Sequence, residues 1–130
     1  MKMLIADDEV AARKIMQKFL SQYGETDLAV DGLETLDLFL AAIKEKTPYQ
    51  MVCLDIMMPK LDGLKVLKAM REIEKHEGIE GDKRAKVIMT TALNDKKTVM
   101  ESYDSGCEAY AWKPIDLEKL KEVMRDLGLV

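Results

Sequence analysis

The residues of this sequence that are of a kind to do chemistry gather at four places: Asp7-Asp8-Glu9, Asp55, Thr91 and Lys113. Asp55 is the odd one. It interrupts the apolar stretch MVCLDIMMP, residues 51–59, where an unpaired carboxylate is costly to bury. Several hard oxygen donors with no histidine or thiolate beside them suit Mg²⁺, which takes one or two carboxylates together with a phosphate oxygen. A lysine ammonium in the same site then serves as a point charge for phosphate. Each residue also has a plainer reading: Asp8 and Glu9 as acids at a helix start, Asp55 as a turn residue, Thr91 as an N-cap and Lys113 as a solvated charge. The two readings part on whether one fold brings the four places together.

The apolar runs Met3 to Ala6, Met51 to Leu54 and Val87 to Thr90 do not alternate, as expected of strands covered on both faces of a parallel sheet. Thr26 to Val30 and Glu108 to Trp112 mix polar, small and aromatic residues and read as edge strands. Helical stripes run between them: Ala12, Ile15, Met16, Phe19 and Leu20, then Leu33, Leu36, Leu40 and Ile43, then Leu64, Leu67, Met70 and Ile73. A short polar helix from about Asp95 to Asp104 and a last one carrying Leu117, Leu120, Val123, Met124 and Leu127 complete the set. Five strands alternating with five helices predict a doubly wound α/β fold with a parallel sheet and right-handed crossovers, too small to close a barrel. Ligands of such sheets bind at the carboxyl ends of the strands. Asp7 and Asp8 follow the first strand, Asp55 the third, Thr91 the fourth and Lys113 the fifth, so this topology gathers carboxylates, a hydroxyl and an ammonium on one site. The acidic loop ADDE has no glycine with which to cradle a phosphate, so phosphate must arrive covalently or with a metal.

Composition narrows the rest. A length of 130 residues, with 48% hydrophobic and 34% charged, is that of a single folded domain spanning 1–130. Twenty basic against 24 acidic residues give a formal charge of −4, and the basic ones are scattered, so direct nucleic-acid binding is not expected. No apolar run is long enough to span a membrane and the acidic N-terminus does not read as a signal peptide, so a cytoplasmic location is expected. Cys53 and Cys107 lack metal or redox spacing and read as packing residues, and His76 lies in a charged stretch as a solvated side chain.

Asp7-Asp8, Asp55 with the following Ile-Met-Met-Pro and Asp62-Gly63, Thr91-Ala92 and Lys113-Pro114 together resemble the receiver domain of bacterial response regulators, the CheY-like phosphoacceptor domain. The resemblance covers the chain from Met3 to about Leu127 and implies the flavodoxin-like strand order 2-1-3-4-5, an order the family shares with flavodoxin. It implies Asp55 as phosphoacceptor, with Mg²⁺ held by Asp7, Asp8, Asp55 and the backbone carbonyl of Met57, and phosphoryl oxygens bound by Thr91 and Lys113. The protein would then be a signalling phosphoacceptor that catalyses its own phosphorylation and dephosphorylation, and not an enzyme acting on a separate substrate. Its partners would be a sensor histidine kinase or histidine phosphotransfer protein and a downstream effector, and its state a monomer or a phosphorylation-dependent dimer. Lys113-Pro114 is implied to be a cis peptide.

On the output side the resemblance pairs Thr91 with Tyr110 as a switch, while Tyr110 could equally be an edge-strand aromatic that packs. Trp112, where a smaller residue is usual, could be an exposed interface anchor or cover an apolar gap beside the last helix. The stretch EKHEGIEGDKRAK, residues 74–86, is longer than the family's compact form and could serve a partner or be an inert insertion. With no output domain after the last helix, a stand-alone receiver is expected. An aspartyl-phosphate hydrolase of the haloacid-dehalogenase type would want a carboxylate two residues past Asp55, where this chain has Met57. A receiver-like module that had lost phosphorylation would not keep all five of the polar site residues, and a flavodoxin would need a hydroxyl-rich first loop.

Overall fold

The computed structural model describes residues 1–130. The elements run β1 (Lys2–Ala6), α1 (Val10–Leu20), β2 (Glu25–Ala29), α2 (Gly32–Lys44), β3 (Met51–Leu54), α3 (Gly63–His76), β4 (Lys86–Thr91), α4 (Lys96–Asp104), β5 (Ala109–Trp112) and α5 (Leu117–Asp126), with a 3₁₀ turn at Gly81–Lys83. All strands are parallel and lie in the order β2-β1-β3-β4-β5. This is the expected doubly wound, flavodoxin-like sheet. No helix is long and apolar enough to cross a membrane.

The unalternating apolar strands have the cause proposed for them. Leu4, Ala6, Val52, Leu54, Val87 and Met89 point to the face covered by α2 and α3, and Met3, Ile5, Met51, Cys53 and Ile88 to the face covered by α1 and α5. The three central strands β1, β3 and β4 are covered on both sides, so past the lysines that open β1 and β4 their buried residues are apolar up to Thr90. Cys53 and Cys107 are buried and free, and burial pushes the Cys53 thiol up to about 12. His76 is exposed.

Two helical faces differ from the periodicity. Ile15 of α1 is exposed, and α1 packs through Met16 and Leu20. In α2, Leu33 and Leu40 are exposed, while Gly32, Thr35, Phe39 and Ala42 face inward. At its amino end α2 lies very close to the chain after β3, where a Cβ on Gly32 would meet the Leu61 carbonyl oxygen at 2.1 Å; further along, Phe39 fills the core. The buried Thr35 hydroxyl donates to Asp31 O at 2.7 Å, so it leaves no unpaired polar group.

The stretch 74–86 is no loose insertion. Glu74, only 2% exposed, belongs to α3 and accepts from Ala85 N–H at 2.8 Å, at the entrance to β4. Arg71 spends its guanidinium on Glu74 (2.7 Å), Ala85 O (2.9 Å), Gly106 O (2.7 Å) and Glu108 (2.9 Å). Glu108 in turn accepts from Val87 N–H at 2.6 Å. The network ties α3 to the amino ends of β4 and β5, at the opposite end of the sheet from Asp55.

Candidate functional site

The sheet ladder continues one residue past three strands and so fixes the backbone of the polar residues there. Asp7 N–H donates to Ala29 O (3.1 Å), Asp55 N–H to Ala6 O (3.0 Å) and Lys113 N–H to Thr91 O (2.8 Å). Asp55 is also held from below, since Gly63 packs so tightly on it that a Cβ would meet the Asp55 carbonyl oxygen at 2.1 Å. Asp62 is the N-cap of α3 and accepts from Leu64 and Lys65 N–H. The Lys113–Pro114 peptide is cis.

Carboxylate oxygens of Asp7, Asp8 and Asp55 lie within 4.8 Å of one another. Asp7 and Asp55 are buried and Asp8 is exposed, so the cluster opens to solvent on one side. The Lys113 ammonium reaches Asp7 Oδ2 at 2.7 Å, Glu9 Oε1 at 2.7 Å and Asp55 Oδ2 at 2.9 Å. Thr91 is fully buried at the end of β4, and Met57, 61% exposed, stands at the mouth with its N–H 3.3 Å from Asp55 Oδ1. Asp8, Glu9, Asp55, Met57, Thr91 and Lys113 line a cleft of about 270 Å³.

Burial lowers the pKa of Lys113, but its bonds to Asp7, Glu9 and Asp55 outweigh burial and raise it above the ordinary lysine value. Burial pushes the Asp7 carboxyl above its usual range, with the Asp55 charge adding to the rise and the Lys113 bond opposing it. Both members of one ion pair therefore move upward. Three clustered carboxylates stand against one ammonium, and a hard divalent cation fits what is missing in charge and in donor type.

Residues 3–125 match the response regulator receiver domain family. The chain belongs to that family. It is 31% identical over 127 residues to the response regulator Rre1 of Synechocystis sp., covering 96% of this chain and 50% of that protein. Across the curated relatives it matches, the chain spans about half of their length or less. Among solved structures, the CheX–CheY–BeF3–Mg²⁺ complex of Borrelia burgdorferi aligns with a TM-score of 0.81 and 28% identity, covering 98% of this chain and 88% of that one. The receiver domain of Ssk1, solved with the histidine phosphotransfer protein Ypd1 of Saccharomyces cerevisiae, is among those matched by a co-crystal aligning at 0.83 with 26% identity over 98% and 88% of the chains. Receiver domains of two-component systems bind Mg²⁺ at an acidic pocket, and Asp7, Asp8 and Asp55 form an acidic cluster that could hold a metal ion here.

One residue of the receiver's cleft was undervalued in the sequence. Glu9 reads there as a helix-start acid, yet its side chain makes no cap bond to α1 and bonds Lys113 instead. Its partner is 104 positions away, so no local spacing points to it. Tyr110 is half-buried, donates to Leu93 O at 2.6 Å and stands edge-on to Trp112 with centroids 6.3 Å apart. Burial, then the charge of Asp95, pushes the Tyr110 phenol up to about 12. Trp112 is 56% exposed, which favours the anchor reading over the gap-filling one.

Proposed function

We propose that Asp55 accepts a phosphoryl group from a histidine of a sensor kinase or phosphotransfer protein. A carboxylate oxygen of Asp55 attacks phosphorus in line. The P–N bond to the donor imidazole breaks, its electron pair stays on nitrogen, and that nitrogen takes up a proton. Asp7, Asp8, Asp55 and the Met57 carbonyl would hold Mg²⁺, which when bound neutralises charge on the phosphoryl oxygens. Lys113 is poised to donate to one phosphoryl oxygen and the Thr91 hydroxyl to another. The observation that carries this reading is the Lys113 ammonium lying 2.9 Å from Asp55 within a cluster of carboxylates that it does not fully compensate. Incubation with Mg²⁺ and acetyl phosphate followed by intact mass tests it. One added phosphoryl group, mapped to Asp55, is expected.

Asp8→Ala should weaken Mg²⁺ binding about 10- to 100-fold. The same change should raise the stability of the metal-free protein by less than about 1 kcal/mol, because it relieves repulsion at a solvent-exposed position. A metal titration and thermal melts read the two effects, and equal Mg²⁺ affinity in both proteins would remove Asp8 from the ligand set.

For the output, Thr91 and Tyr110 are joined through one residue. Thr91 Oγ1 lies 3.4 Å from Leu93 N–H, and Leu93 O accepts from Tyr110. Drawing the Thr91 hydroxyl toward a phosphoryl group would reach Tyr110 through that residue and change the surface offered by Met100, Tyr103 and Trp112, all exposed, to an effector.

The phosphoryl group should be long-lived, since Met57 and Leu93, two residues past Asp55 and Thr91, carry no group to orient a hydrolytic water. Only Met57 lines the cleft; Leu93 is partly buried against the core. Met57→Asn should therefore speed decay about two- to tenfold, the worth of one hydrogen bond, and Leu93→Glu less. Decay of the phosphorylated form in Mg²⁺ buffer measures both, and unchanged lifetimes would show that water access is not limiting.

A further inference from the structure

We infer that Glu9 is a placeholder for the incoming phosphoryl group, a carboxylate that occupies one N–H of Lys113 in the resting protein and gives it up to an anionic phosphodonor. The inference rests on reading Lys113 as the phosphoryl-binding residue. The Lys113 ammonium donates to Glu9 at 2.7 Å and to Asp55 at 2.9 Å and stands 2.7 Å from Asp7 Oδ2. Three carboxylates thus surround a group with three N–H donors, and a ligand oxygen has to displace one of them.

The three partners are not equivalent. Asp7 and Asp55 are buried members of the carboxylate cluster, whereas Glu9 lies outside it with its side chain 63% exposed. Water re-solvates an exposed carboxylate at little cost, so the Glu9 bond is the one most easily exchanged.

Glu9 is also free of any other task. It is the N-cap residue of α1, but the cap is made by its backbone, with Arg13 N–H donating to Glu9 O at 3.0 Å and no side-chain bond to the helix. Its carboxylate turns away from the helix and into the cleft it shares with Asp55, Thr91 and Lys113. It therefore puts a negative charge on the path of an anionic donor and cancels the charge that would attract one.

Removing that charge should ease entry of the donor without altering the reacting groups. In Glu9→Gln, the acetyl phosphate concentration giving half-maximal phosphorylation rate should fall about two- to fivefold while the limiting rate changes little. The difference should shrink in about 0.5 M KCl, where charges at the surface are screened. Glu9→Ala should behave alike and melt as the wild type does, because α1 loses no side-chain cap. Equal or weaker donor dependence in both variants, or a gain indifferent to salt, would overturn the role. A wild-type protein that took up no phosphoryl group would overturn the reading of Asp55 itself, which is a separate outcome.

Discussion

The Asp55→Asn protein, incubated with Mg²⁺ and acetyl phosphate, should gain no mass while its fold and melting behaviour persist. The side chains are nearly the same size, so the packing at the end of β3 is kept. A neutral amide, however, is not a nucleophile toward phosphorus. The fold should tolerate the change because the amide oxygen can still accept from Lys113, which stands 2.9 Å from Asp55 Oδ2, and one of the crowded charges beside Asp7 is gone. Intact mass and peptide mapping read the result. Stoichiometric labelling of the variant at another residue would sink the assignment of Asp55.

Arg71→Ala should cost about 3–5 kcal/mol in stability, the penalty for breaking an ion pair that is largely out of solvent. The guanidinium is the shared partner of Glu74 and Glu108 and of the carbonyls of Ala85 and Gly106, and its loss strands Glu74, which is 2% exposed. Arg71→Lys should recover little, because one ammonium cannot span acceptors on three segments. Arg71→Met combined with Glu74→Gln should recover part of the loss: it removes the stranded charge and keeps an acceptor for Ala85 N–H. Urea melts measure these differences. A loss below about 1 kcal/mol in Arg71→Ala, the range of exposed pairs, would mean that the network contributes no more than surface charges do.

The central strands, and with them the candidate site at their ends, were legible for one physical reason. Strands covered on both faces are mostly apolar, so Asp7 and Asp55, one residue past β1 and β3, stand out; Thr91 and Lys113 stand out less, because Thr90 precedes the one and the half-exposed edge strand β5 the other. The inner face of α2 was half legible: Leu36 and Ile43 pack on the core as their spacing implied, but Leu33 and Leu40 are exposed, and Gly32 faces inward where the chain at Leu61 leaves no room for a side chain. The network of Arg71, Glu74 and Glu108 went unread, since it joins α3 to residues that meet it only in the folded sheet; the i,i+3 spacing of Arg71 and Glu74 is its one local trace. Glu9 was visible as an acid and not as a partner of Lys113, since that contact exists only once the sheet has formed. Long-range pairing of polar residues leaves no periodic trace in a chain.

The charges of the two polar clusters differ in kind. Asp7, Asp8, Glu9 and Asp55 against Lys113 leave an excess of negative charge at the carboxyl ends of the strands, whereas Arg71 and Arg84 against Glu74 and Glu108 balance to zero at the amino ends. A neutral cluster has no net charge to project, and its field dies away faster with distance than that of a single ion. Exchanges made there in compensating pairs are therefore electrically silent at Asp55. What constrains the amino end is the reach of Arg71 and not its charge, so any exchange there that keeps both that reach and the balance of ions leaves the affinity of the far end for metal and phosphoryl group where it was.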